Sequence, residues 1–320
     1  MNTDMNLKRS QPETDKTGIL LMAHGAPDSV EHIPLYIKNI RGGKEPSPEI
    51  VRIISDHYNQ IGGKSPLEPI ARGQALALQK MLNQQDNDRF RVYLGMRNWN
   101  PYIQDAVNQA YADGIKRLIG VCLAPQYSRF STELYLKAFR GAVKASGGNL
   151  QNVDFISTWA DNYYLAEAFA ERYEQAAKKL KDSGTSDFYT VFTVHSIPAD
   201  SLEYGDPYAE EFDKTVRGIV NLVKPKRWMQ CYQSAGYIPV PWLEPSVEMV
   251  LDKIARHGKK TVLLMPVGFL CDHIEILYDI DIDYQKYAKT KNLHLVRTKS
   301  LNATHKLIKA LASVIWEHLA

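Results

Sequence analysis

The chain has 320 residues, 44% hydrophobic and 23% charged, and at about 150 residues per domain that length predicts two globular domains. Its 39 Lys and Arg against 36 Asp and Glu leave a net charge of +3, which excludes a strongly basic nucleic-acid binder and an acidic disordered chain. Three scattered cysteines, Cys122, Cys231 and Cys271, form no CxxC knuckle and no disulfide framework, so a reducing, cytoplasmic compartment is expected.

Residues 1–17 read as a flexible polar tail, with no apolar core for a signal peptide. No stretch approaches the ~18 apolar residues of a membrane span, so no stable membrane insertion is expected. Continuous apolar runs then predict strands at 18–23, 91–96, 117–123, 153–158, 189–194, 228–232, 261–267 and 294–298. Such runs mark strands covered on both faces, as in a parallel sheet. Between them, residues 72–82, 101–112, 164–180 and 244–256 carry apolar residues at helical spacing. Pro101 and Pro245 are read as helix starts, Gly114 and Gly258 as helix stops. Alternating strands and helices predict an α/β architecture.

An internal repeat organises these elements. Residues 20–31, LLMAHGAPDSVE, resemble 191–203, VFTVHSIPADSLE, and the Trp99 and Trp242 segments match further on. Two similar α/β halves follow, 18–160 and 189–300, joined by a helical region at 161–188 and closed by a helix at 301–320. The first half is longer by an insertion at 36–66, expected to act as a flap. His24 and His195 each end the first strand of a half, and open α/β sheets bind ligands beyond the carboxyl ends of their strands.

The chemistry-bearing residues cluster in few places. His195 reads either as a structural hydrogen-bonding residue or as a site residue facing a cleft. On a helix, Asp272, Glu275, Asp279 and Asp283 would share one face. That face is either solvated or a line for divalent cations and protons. His273 would point to another face, in a structural role. Trp99 and Trp242 read as core aromatics, or as platforms for a flat ligand. The segment 125–132, PQYSRFST, together with Arg41, Lys44, Ser65 and Arg97, could recognise carboxylates on an otherwise apolar ligand. No P-loop, GxGxxG, HExxH or GxSxG motif occurs.

The segments LLMAHGAP, IGGKSPL, YLGMRNWNP, LAPQYSRFST, VHSIP, GDPY, YQSAGYIPVPWLEP and PVGFLCDHIEILYDID resemble, in order and over about 18–318, the ferrochelatase family. The resemblance implies two Rossmann-like, chelatase-type halves with parallel sheets flanking a central cleft. It implies an enzyme of haem biosynthesis that inserts Fe2+ into a porphyrin, with His195 and Glu275 catalytic and metal-binding. The family leaves open which of the two takes the pyrrole protons. Asp279 and Asp283 match its outer carboxylate line, with room for an outer divalent cation. Arg41, Ser65, Arg97, Tyr127, Ser128, Thr132 and Trp242 fall at substrate-binding positions. His24 stands where one bacterial branch has Tyr, and is expected to touch substrate and to ligate metal. Arg97-Asn98 replaces a Lys-His pair, Gly42 an Arg, and Asp283 a frequent Glu. The cysteines do not match an iron–sulfur cluster pattern, so no cluster is expected, and neither is the animal enzymes' dimerisation segment; a monomer follows. Coproporphyrin III is the favoured substrate, with protoporphyrin IX, a cobalt or sirohydrochlorin chelatase and a non-catalytic haem carrier as the alternatives.

Overall fold

The computed structural model describes residues 16–86, 88–147, 150 and 152–320. The expected tail therefore lies outside the described residues, except at its end, where Thr17 is buried and opens the first strand. The first half runs β1 (Thr17–Ala23), α1 (Ile33–Ile40), α2 (Pro48–Gln60), α3 (Leu67–Gln85), β2 (Phe90–Met96), α4 (Ile103–Ala112), β3 (Arg117–Cys122), α5 (Thr132–Ala145) and β4 (Asn152–Ile156). After α6 (Tyr163–Asp182), the second half runs β5 (Tyr189–His195), α7 (Tyr208–Val223), β6 (Trp228–Gln233), α8 (Val247–Arg256), β7 (Thr261–Pro266), α9 (Ile274–Leu277), α10 (Gln285–Thr290) and β8 (His294–Arg297), before α11 (His305–Leu319).

Each half holds one parallel sheet, in the order β2-β1-β3-β4 and β6-β5-β7-β8. The repeat seen in the sequence is thus a repeat of topology. It extends to hydrogen bonds: Met96 N donates to Pro101 O at 2.7 Å, and Tyr232 N to Pro245 O at 2.9 Å. The two prolines precede α4 and α8 rather than opening them, because each carbonyl extends the preceding strand's pairing. Gly114 and Gly258 do end those helices, at φ 74° and 70°, where a side chain would be strained.

Every residue of β1 and β7 is buried, as strands covered on both faces require. One core includes Ile19 and Val121 of the first half, Phe192 and Met265 of the second, and Leu311 of α11. The helix α11 packs on α3 and α6, and α6 packs on α7, so the linking and final helices join the halves. The insertion is largely helical. It forms α1 and α2, the latter started by Ser47, whose hydroxyl accepts from Ile50 N at 3.3 Å, and by Pro48.

Candidate active site

His24 leaves β1 where Gly25 turns the chain at φ +90°. A Cβ on Gly25 would stand 2.9 Å from Trp99 N, so glycine alone lets this turn close. Arg97 N and Asn98 N donate to Ala23 O and His24 O, both at 3.0 Å, and tie the turn to the end of β2. The Asn98 side-chain nitrogen, a donor only, lies 3.0 Å from His24 Nε2. Tyr36 Oη lies 3.0 Å from Nδ1 and itself donates to Gly25 O at 2.9 Å. His24 is therefore a neutral imidazole protonated at Nδ1. Burial, reinforced by the Arg97 charge, pushes its pKa down to about 4. In this network the Nε2 lone pair of His24 accepts from Asn98.

His195 closes β5. Its Nδ1–H donates to the Ser196 carbonyl, and its Nε2 lies 3.4 Å from Glu275 Oε1. Burial opposes an imidazolium here. The Glu275 carboxylate outweighs it, with help from the Ser196 carbonyl and Asp279, and raises the His195 pKa. Burial likewise opposes the Glu275 carboxylate, but His195, His273 and His24 together hold its pKa low. The two form an ion pair, and 33% and 34% of their side-chain surfaces remain accessible. Phe269 and Trp242 stand beside the imidazole, at centroid distances of 6.3 and 6.5 Å.

The expected ladder of four carboxylates contains three. Asp272 precedes α9 and is held by Ser300 Oγ at 2.7 Å, Asn302 Nδ2 at 2.9 Å and Arg297 Nη1 at 3.4 Å. It anchors a loop. Glu275, Asp279 and Asp283 run outward, Asp279 half-buried and Asp283 exposed, along α9 and the wider π-helical turn Asp279–Tyr284. Burial and the Glu275 charge push Asp279 up to about 7, although the Ser234 hydroxyl donates to its Oδ2. Among the described residues no three His, Cys, Asp or Glu side chains converge as a ready-made metal site.

His273 was missed. It lies before the helix in extended backbone, so helical spacing does not govern its direction. Its Nε2 comes 3.8 Å from Glu275 Oε2, and its ring packs edge-on against Phe269 at 4.4 Å. The Glu275 charge also reaches His24, Tyr36, Tyr58 and Tyr135 from the first half and Tyr208 from the second. Both halves thus face one electrostatic centre.

The remaining expected residues divide. The Arg97 guanidinium lies 5.5 Å from the Tyr135 ring centroid, with Nε buried and unpartnered. Tyr127 is half-buried and donates to Glu133 at 3.1 Å. Ser128 and Thr132 are buried, and their hydroxyls donate to Asp206 at 2.9 Å and Gln126 O at 3.3 Å. In these positions they shape the loop. Ser65 is buried and accepts from Leu67 N at 3.2 Å at the start of α3, while Arg41 is exposed at the end of α1. Trp99 is buried. A groove of about 670 Å³ lies elsewhere, between α7, β6 and α8, and none of these residues lines it.

Two parallel sheets of one order, each with a histidine at the end of its first strand, define a fold of two similar α/β halves. The solved sirohydrochlorin chelatase SirB from Bacillus subtilis subspecies spizizenii, in complex with cobalt, has this fold (TM-score 0.56, 13% identity, 94% of each chain), as does SirB from Bacillus subtilis with Fe3+ (TM-score 0.57, 14% identity, 95% and 96%). The sequence model of the family described as Ferrochelatase matches residues 16–319. The chain is 36% identical to the ferrochelatase of Herpetosiphon aurantiacus, over 94% of this chain and 98% of the relative. It is 33% identical to the coproporphyrin III ferrochelatase of a Geobacillus species, over 95% and 98%. The chain belongs to the ferrochelatase family and is a metal-inserting lyase.

Proposed function

We propose that the protein inserts Fe2+ into coproporphyrin III in haem biosynthesis, with release of the two pyrrole protons. The carrying observation is the His195–Glu275 pair at 3.4 Å, continued outward by Asp279 and Asp283. Glu275 is held as the carboxylate and accepts each of the two pyrrole protons in turn. Asp279, titrating near pH 7, takes that proton on, and exposed Asp283 passes it to water. His195 becomes a nitrogen donor for the ion once its own Nε2 proton leaves by the same path. A hydrated outer cation would meet Asp283 first. Trp242 flanks the macrocycle, and Arg41, Lys44, Arg97 and Arg129 supply positive charge for propionates; four propionates use such a set more fully than two. Tyr127 and Ser65 border the same cradle, and His24 faces the ring as a neutral wall.

The protein is proposed to act as a cytoplasmic monomer without an iron–sulfur cluster. Its three cysteines sit in three separate hydrophobic clusters, and no helix among the described residues is long and apolar enough to cross a membrane.

Parallel Fe2+ insertion kinetics with coproporphyrin III and protoporphyrin IX test the substrate; a higher kcat/KM for protoporphyrin IX overturns it. Glu275→Gln and His195→Ala are each expected to lower kcat about 100-fold or more, with the circular dichroism unchanged. Near-wild-type turnover in both variants would remove the pair from the chemistry.

A further inference from the structure

The first half's insertion grips the carboxylate segment of the second half. On α2, Ile50, Val51, Ile54 and Tyr58, with Ile61 just after it, pack with Ile33 and Ile37 of α1, and the same cluster takes in Ile274. His57 stacks on Tyr278 with ring centroids 3.7 Å apart and planes 15° from parallel. Ile274 and Tyr278 are four residues apart, hence on one face of the turn. Each gripped residue is followed directly by a carboxylate of the line: Glu275 after Ile274, Asp279 after Tyr278.

We propose that His57 is a positioning residue, whose stack on Tyr278 seats the insertion on the carboxylate segment and holds Glu275 and Asp279 in register for the incoming divalent ion. The metal step rests on the function proposed above; the stack does not. The flat ring of His57 performs this role through contact area, with Tyr278 as its counterpart. Nothing in the grip requires His57 to carry charge or touch the ion. The π-helical turn is a single, local departure from regular helix geometry, and the brace seats on the residue directly before it.

The test compares His57→Ala with His57→Phe in the full chain. Amide hydrogen exchange over 276–284 is expected to speed up about three- to tenfold in His57→Ala, and the KM for Fe2+ to rise by a similar factor. The KM for porphyrin should stay fixed, and His57→Phe, which keeps the flat ring, should restore both quantities. Unchanged exchange in His57→Ala overturns the brace. A His57→Phe variant as impaired as His57→Ala overturns stacking in favour of imidazole chemistry. Exchange that responds while the Fe2+ KM stays fixed overturns the positioning role. If the wild type metallates no porphyrin, the proposed function fails, and the exchange comparison still decides the stack.

Discussion

At the scale of single residues, environment separates groups that the sequence lists as equals. Glu275 faces the raised imidazole of His195 and stays ionised. Asp279, one turn outward, meets burial and the Glu275 charge instead, and rises to about 7. In the unfolded chain Asp279 titrates near its ordinary 3.8. Between these two values the folded state holds a proton that the unfolded state releases, so this group's contribution to stability falls as pH rises from about 4 to about 7. Asp279→Asn is uncharged throughout and removes that fall. Its Tm is expected to match the wild type near pH 4 and to exceed it by about 2 °C or more at pH 8. Thermal melts at the two pH values check this, and a difference that does not change with pH defeats the assignment. His273 was not legible because its direction depends on where α9 begins, and one residue of extended backbone turned it from an outer face onto Glu275.

Among the elements, the strands were the most legible, because double-sided burial writes itself as unbroken apolar runs. The helices of the insertion were not: the sequence marked the segment as a flap without assigning its elements, and the packing of Ile33, Ile37 and Tyr58 makes α1 and α2 worth forming. The acidic ladder was half legible. Spacing placed Glu275, Asp279 and Asp283 together, but helix was assumed from Asp272, which the Arg297, Ser300 and Asn302 side chains hold in a loop. The turn after β1 makes a further demand. Gly25→Ala combines an unfavourable φ with a Cβ 2.9 Å from Trp99 N, and is expected to cost about 1–3 kcal/mol. It should also slow metallation through a displaced His24. Denaturant unfolding measures the first effect and turnover the second; full stability in Gly25→Ala would mean the turn relaxes freely.

For the whole molecule, two copies of one topology share one core. Leu311 of α11 is fully buried in the cluster that joins Ile19 to Phe192 and Met265. Leu311→Ala should therefore cost about 2–5 kcal/mol and weaken both halves together. Unfolding followed separately by tryptophan fluorescence and far-ultraviolet circular dichroism should keep a single shared midpoint in wild type and variant. Two separated transitions would show that the halves are independent. The near-neutral total charge conceals a division of the same kind: Arg97 lies on the wall near His24, while Asp279 and Asp283 lead away from Glu275.

The sequence by itself determined the repeat, the parallel α/β class, the strand-end positions of His24 and His195 and the grouping of Glu275 with Asp279 and Asp283. These follow from local periodicity and from residues close along the chain. Tertiary structure decided that His24 is neutral and already bonded to Asn98, that Asp272 leaves the line, and that His273 joins it. It also decided that Ser128 and Thr132 turn inward and that α2 grips the carboxylate segment. The physical reason is the same in each case. Protonation, hydrogen-bond partners and side-chain direction depend on groups from remote segments, and those groups meet only when the two halves pack on one shared core.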